Sequence, residues 1–149
     1  MRAVIQRVSE ASVTIDGTVK AAIGAGYMIL LGVEHADANI DAEWLASKIA
    51  QLRVMNDENG KMNLDIKQTD GEILVISQFT LHAAYKKGNR PSFIKAAKPD
   101  VATTLYEYFC NQLSSQLGKN VATGVFGADM KVSLTNDGPV TIVMDTKEE

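Results

Sequence analysis

The chain has 149 residues, 46% of them hydrophobic and 22% charged, a length and balance that suit one globular domain over residues 1–149 and exclude a disordered or fibrous protein. A formal net charge of −3 argues against coating of nucleic acid by overall charge, although a local basic patch remains open. Met1 to Val8 sets a charge or amide beside each apolar pair, unlike a signal peptide, and no apolar stretch is long enough to span a bilayer, so a cytosolic protein without a membrane partner is expected.

The first third reads as strands. Met1 to Val8, Ala11 to Ile15, Val19 to Ile23 and Tyr27 to Val33 are rich in Val and Ile and are punctuated by Asp16-Gly17 and Gly24-Ala25-Gly26, which predicts an antiparallel meander. From Asn39 to about Val54 the period lengthens. Ala42, Leu45, Ala46, Ile49 and Leu52 mark one face of an amphipathic helix, with Asn39 or Asp41 available as N-cap. Asn59-Gly60 predicts a small hairpin with a type I′ turn between Val54 and Leu64. Ile73 to Ile76 is a continuous apolar run, as expected of a strand buried on both faces.

Ser77-Gln78-Phe79-Thr80-Leu81 therefore begins where a central strand ends. A second helix is signalled by Pro99 near its start, by Ala102, Leu105, Tyr106, Phe109 and Leu113 along one stripe, and by Gly118 as its stop. Val121 to Phe126, Met130 to Thr135 and Val140 to Met144 read as the last strands, with Val132 and Leu134 inward, and Thr146 to Glu149 as a solvated tail.

The chemistry is constrained by what is scarce. The single cysteine, Cys110, sits at helical spacing among apolar residues and reads as a buried small hydrophobe. His35 and His82 are the only histidines. His35 reads as exposed, while His82 would share a face with Thr80 along an extended strand but lacks an orienting carboxylate. No ligand pattern for zinc or any other metal is present, and no cofactor is expected. What remains is positional and electrostatic: main-chain N–H groups of Gln78, Phe79 and Thr80 at a strand end can face a developing oxyanion. In Asn136-Asp137-Gly138-Pro139-Val140-Thr141, glycine permits close approach of backbone to a ligand, but a plain turn before a strand is an alternative. Lys86, Lys87, Arg90, Lys95 and Lys98 occur without an acid between Tyr85 and Lys98, either as a solvated loop or as a phosphate contact.

Taken together, Met1 to Val8, Ser77 to Leu81, Gly88-Asn89-Arg90-Pro91-Ser92-Phe93 and Asn136 to Thr141 resemble, in order and separation, the motifs of the D-aminoacyl-tRNA deacylases. The resemblance covers nearly the whole chain. It implies an α+β, barrel-like homodimer with a mainly antiparallel sheet and two main helices, hydrolysing the ester between a D-amino acid and tRNA. Ser77, Gln78, Phe79 and Thr80 would line the reacting ester. Phe126 and Met130 would form the adenosine side, with Ala102 nearby, and Lys86, Lys87 and Arg90 would contact tRNA. Gly138 and Pro139, joined by a cis peptide bond, would reach into the partner subunit's site and exclude L-amino acids, while glycine would pass. The implied partners are tRNA and a second copy, with no DNA and no membrane. Around His82 to Tyr85 the chain departs from the commoner pattern of the family. Two rival readings stay open: a hydrolase using Thr80 or Ser77 as nucleophile with His82 as base, and a dimeric binding module without turnover.

Overall fold

The computed structural model describes residues 1–148. Its frame is a long strand, β1 (Arg2–Ile15), on which the other antiparallel strands are laid. β2 (Thr18–Ile23) and β3 (Gly26–Gly32) lie on the same edge of β1, β2 against Ala11 to Ile15 and β3 against Arg2 to Val8. This corrects the expected meander: β1 is long enough to pair with both in turn, so β2 and β3 need not pair with each other. Asp16 and Gly17 both have positive φ, 50° and 78°, and close a two-residue hairpin, as their types require. β3 then pairs in parallel with β6 (Glu72–Ser77), and β6 in parallel with β7 (Ala122–Thr123). β8 (Lys131–Asp145) runs antiparallel along the far edge of β1. The result is an α+β fold with a barrel-like, mainly antiparallel sheet, in which β2 approaches β7 and nearly closes the circuit.

Two bulges explain why this framework was read as shorter strands. Val8 pairs with Asn136 and Glu10 with Thr135, so Ser9 is an extra residue on β1. One extra residue exchanges the two faces of a strand. Ala3 and Ile5 accordingly face one core cluster, whereas Ala11 and Val13 face the other. The polar Ser9-Glu10 is thus a bulge inside one strand and not a gap between two. On β8, Gln6 pairs with Thr141 but Val8 pairs with Asn136, so four residues, Asp137 to Val140, stand opposite the single residue Arg7. The expected pair of strands, Met130 to Thr135 and Val140 to Met144, is one strand that swells outward at Gly138-Pro139, whose peptide bond is cis.

Helices α1 (Asn39–Gln51) and α2 (Pro99–Leu117) pack together against one face of the sheet. Leu45, Ile49, Phe109 and Leu113 are fully enclosed there, each side chain contributing about 1.5–3 kcal/mol by leaving water. α1 is capped differently from expectation. Ala38 is the N-cap residue, and Asp41, in the first turn, accepts the Ala38 N–H at 2.9 Å. α1 ends before Val54 because Leu52 is already extended. α2 begins on Pro99 and stops at Gly118, whose φ of 81° only glycine adopts readily.

Strand β6 is sandwiched between β3 and β7, with Ile73 and Val75 facing the helices and Leu74 and Ile76 the opposite cluster. Its pairing with β3 depends on Gly26, where an added methyl would stand 1.8 Å from the Glu72 carbonyl oxygen. The hairpin between Val54 and Leu64 is reduced to β4 (Met55–Asn56) and β5 (Met62–Leu64). Its turn has positive φ at Gly60 but not at Asn59, which rules out type I′. β7 is shorter than the expected Val121 to Phe126, because the chain leaves the sheet after Thr123. The expected solvated tail is tied down at its start: Thr146 Oγ1 accepts from the Met1 amine at 2.7 Å, and Lys147 Nζ donates to Asp41 Oδ1 at 2.8 Å. Its last residue, Glu149, lies outside the described residues.

Candidate active site

Ser77 is the last residue of β6, and the chain turns there into a single 3-10 turn, Phe79–His82. The Gln78 N–H donates to Leu31 O at 2.8 Å and is therefore committed to β3. The next two are not. Among the described residues, the N–H groups of Phe79 and Thr80 have no hydrogen-bond partner, as is usual for the opening donors of a helical turn. The Gln78 amide nitrogen donates to the Thr80 hydroxyl, fixing both side chains on the exposed side of the turn.

Beside this turn opens a cavity of about 480 Å³ whose wall includes Ser77, Gln78, Phe79, Ala102, Phe126 and Met130. The fold thus brings six residues nominated from the sequence to one place. Thr80 is exposed at the rim and is not part of the wall. The rest of the wall is mainly apolar, with Leu30, Val132 and Leu134 from β3 and β8. It contains no carboxylate, imidazole, amine or thiol. Its one titratable group, Tyr106, donates to Val75 O at 2.8 Å, and burial pushes its hydroxyl pKa well above the usual tyrosine value. Side-chain acid–base chemistry is therefore absent from the wall.

Gly138 and Pro139 are exposed and do not line this cavity. Their bulge is held from below by Arg7, a residue that sequence reading passed over. The Arg7 side chain is buried, and it donates to Asp137 O at 2.9 Å, to Val54 O at 2.7 Å and to Asn56 Oδ1 at 3.1 Å. A guanidinium can satisfy several acceptors in one plane, so it fastens the bulge to the segment following α1. Gly138 itself has φ 129°, and a methyl there would meet Val140 Cγ2 at 2.9 Å and Arg7 Nη2 at 3.1 Å.

Lys86, Lys87 and Arg90 are exposed on a loop closed by paired hydrogen bonds between Ala84 and Ser92, both 2.8 Å. None of the three forms an ion pair among the described residues. The loop leads to Phe93, whose ring meets that of Phe79 edge-on at 5.0 Å. The loop that carries these cations is thus followed by a residue in contact with the cavity wall.

A nucleophile–base pair is not assembled. His82 is buried, its Nε2 has no partner among the described residues, and the Thr80 hydroxyl is engaged by Gln78 instead. The two residues do not share a strand face, because the chain is a 3-10 turn at this point. A carboxylate does lie near the histidine, with Glu34 Oε2 3.8 Å from Nδ1, contrary to the expectation of none. His35 is exposed, as expected. Cys110 is buried, with its thiol pushed up to about 12 by desolvation, so it is inert as a nucleophile. No cluster of three or more His, Cys, Asp or Glu side chains suited to a metal occurs among the described residues.

A family model described as D-Tyr-tRNA(Tyr) deacylase matches residues 4–145. The chain belongs to this family. A D-aminoacyl-tRNA deacylase of Phocaeicola vulgatus is 66% identical over 149 residues, covering 100% of this chain and 99% of that protein. One from Flavobacterium johnsoniae is 57% identical, covering 99% and 98%. Among solved structures, one titled c-Myc DNA Unwinding Element Binding Protein superposes with a TM-score of 0.93 at 41% identity, covering 97% of this chain and 98% of its own. A second, titled a probable eukaryotic D-amino acid tRNA deacylase, has a TM-score of 0.80 at 16% identity and covers 96% and 97%, a likeness of fold alone. As a member of the deacylase family, the protein is a hydrolase acting on D-aminoacyl-tRNA. No helix among the described residues is long and apolar enough to cross a membrane.

Within this deacylase fold, Arg7, Phe93 and Glu34 are the neighbours of the site that sequence reading missed. Arg7 carried one signal, a charge at the alternate strand positions that otherwise hold Met1, Ala3 and Ile5. Phe93 stood in the Gly88 to Phe93 motif without a role assigned to its ring, and Glu34 carried no signal, because each lies in a loop.

Proposed function

We propose that the protein is a cytoplasmic homodimer that clears D-amino acids, and glycine, from the 3′ end of tRNA as a quality-control step of translation. The observation that carries this reading is the pair of unpartnered N–H groups at Phe79 and Thr80, beside a cavity whose wall offers no acid or base. In such a site a water molecule attacks the ester carbonyl carbon. The resulting oxyanion is met by the two N–H groups, and the bond to the ribose oxygen breaks. The ribose 2′-hydroxyl passes the proton of the attacking water to the departing oxygen, leaving free amino acid and tRNA. Electrostatic stabilisation of this kind suffices for an ester that is already reactive.

Selectivity is assigned to Gly138 and Pro139 of the opposite subunit. They are exposed on a rigidly held bulge and absent from the cavity of their own chain, which suits a role across an interface. Their main-chain oxygens would hold the substrate ammonium and leave no room for an L side chain, so discrimination works by exclusion. Phe126 and Met130 would flank the terminal adenosine, with Ala102 behind. The direct test incubates the protein with matched D-, L- and glycyl-tRNA. Ester loss from the D- and glycyl forms, with the L-form intact, is the expected result, and equal loss of D and L would end the chiral reading.

Thr80→Ala is expected to retain activity within about tenfold, because the substitution removes the hydroxyl and keeps the N–H. A fall of several orders of magnitude, as when a serine-hydrolase nucleophile is removed, would restore a covalent mechanism. Neutralising Lys86, Lys87 and Arg90 together is expected to weaken binding of all tRNAs alike and to flatten the log–log salt dependence by roughly one unit per lost phosphate contact. An unchanged salt slope in filter-binding titrations would show the loop to be merely solvated. Competition by duplex DNA in the same assay tests whether the loop is selective for tRNA.

A further inference from the structure

The 3-10 turn ends on a side chain that the reaction does not use. His82 is 4% exposed, its Nδ1 lies 3.8 Å from Glu34 Oε2, and its enclosed Nε2 has no hydrogen-bond partner among the described residues. Buried polar atoms without partners are rare in native proteins and call for an explanation. The imidazole rests on Gly32 of β3. A methyl built there would stand 3.0 Å from His82 Cδ2, 3.1 Å from Nε2 and 3.0 Å from the Gln78 carbonyl oxygen. Ring and carbonyl therefore converge on a notch that glycine leaves open in β3.

Besides the contact of the Phe79 ring with Phe93, the turn is tied to the rest of the chain by hydrogen bonds at Gln78 and Leu81. Gln78 N–H is bound to Leu31 O at 2.8 Å, and Arg2 Nη1 donates to Leu81 O at 2.6 Å. Between them, Phe79 and Thr80 make no main-chain hydrogen bond to β3. We infer that His82 is a positioning residue: its imidazole, seated in the Gly32 notch beside Glu34, sets how far the turn stands from β3 and so where the Phe79 and Thr80 N–H groups point. This rests on the main-chain oxyanion site proposed above. Donors that meet charge developing only in the transition state affect the chemical step and leave substrate binding nearly untouched.

The test is steady-state hydrolysis of D-tyrosyl-tRNA by His82→Leu, His82→Asn, His82→Ala, Gly32→Ala and the double variant Gly32→Ala/His82→Ala, with the wild type assayed beside them. His82→Leu is expected to lower kcat about tenfold or more with KM within about twofold, since small misplacements of reacting groups are costly. His82→Asn returns a polar nitrogen near the Nδ1 position and is expected to recover part of the loss. Gly32→Ala crowds the imidazole and lowers kcat in the same way, whereas removal of the ring in the double variant relieves part of that crowding, giving a less than multiplicative loss.

Wild-type kcat in His82→Leu would overturn the inference. So would a rise in KM that accounts for the whole loss, or independent multiplication of the Gly32 and His82 effects. If His82→Leu does not fold, Gly32→Ala must still lower kcat at constant KM, and a wild-type kcat there overturns the inference equally. A wild type without activity on D-tyrosyl-tRNA would instead refute the proposed function itself.

Discussion

Gly138→Ala is expected to lower hydrolysis of D-aminoacyl-tRNA by about 100-fold while leaving the protein folded, the loss typical of a reactant displaced by an ångström. At φ 129° an L-residue is strained whatever the space around it, and the new methyl would lie 2.9 Å from Val140 Cγ2, 3.0 Å from the Val140 nitrogen and 3.1 Å from Arg7 Nη2. The Val140 nitrogen belongs to the backbone, and Arg7 is pinned by its bonds to Val54 and Asn56, so the bulge itself must move. Asp137, Gly138 and Pro139 are exposed and lie outside both core clusters, which confines the damage. Ester-release kinetics and a thermal melt on the same preparation separate the two effects. Wild-type rates on the D-form, with the L-form still refused, would show that chirality is read elsewhere.

Phe79→Pro is expected to cost about 100- to 1000-fold in kcat, as does removal of a single oxyanion donor in other hydrolases, beyond whatever Phe79→Ala costs. Proline deletes the N–H, alanine keeps it, and both delete the ring, so the difference between the two variants reports the donor alone. The turn should accept proline. Gln78 has φ −149° and ψ 87°, outside the helical region that a following proline disfavours, and Phe79 occupies the first position of the turn. Equal rates in the two variants would remove Phe79 N–H from the mechanism.

The same pair of lesions tests the proposed exchange between subunits. In mixed dimers of Gly138→Ala and Phe79→Pro chains, one of the two sites joins an intact turn to an intact partner bulge, so activity is expected to return to about half of wild type if selectivity is supplied in trans. If each chain serves its own site, no mixed dimer recovers.

Much of the scaffold was legible because its signals are local. The continuous apolar run Ile73 to Ile76 announced a strand buried on both faces, and that strand lies between two parallel neighbours. Pro99 and Gly118 bracketed α2 at its observed ends, since one residue lacks an N–H and the other tolerates a positive φ. Asp16-Gly17 made the two-residue turn its types favour, whereas Asn59-Gly60 did not. The difference lies in the loop: Asp57 accepts the Gly60 N–H on its carbonyl and the Asn59 and Lys61 N–H groups on its carboxylate, which sets a longer turn with positive φ at Gly60 alone.

By itself, then, the sequence determined the two helices, the central strand, the absence of an ordinary triad, and the two segments around Ser77 and Gly138 on which the family resemblance rests. Only the tertiary structure decided which donors are free. Gln78 N–H is consumed by Leu31 while Phe79 and Thr80 N–H are not, and no local pattern distinguishes three adjacent amides. Only pairing with β1 turned Asp137 to Val140 into a bulge over Arg7, because register is a property of two strands together. Burial of His82 against Gly32 was likewise invisible, since it depends on a space in β3 that exists only once β3 and the turn are packed.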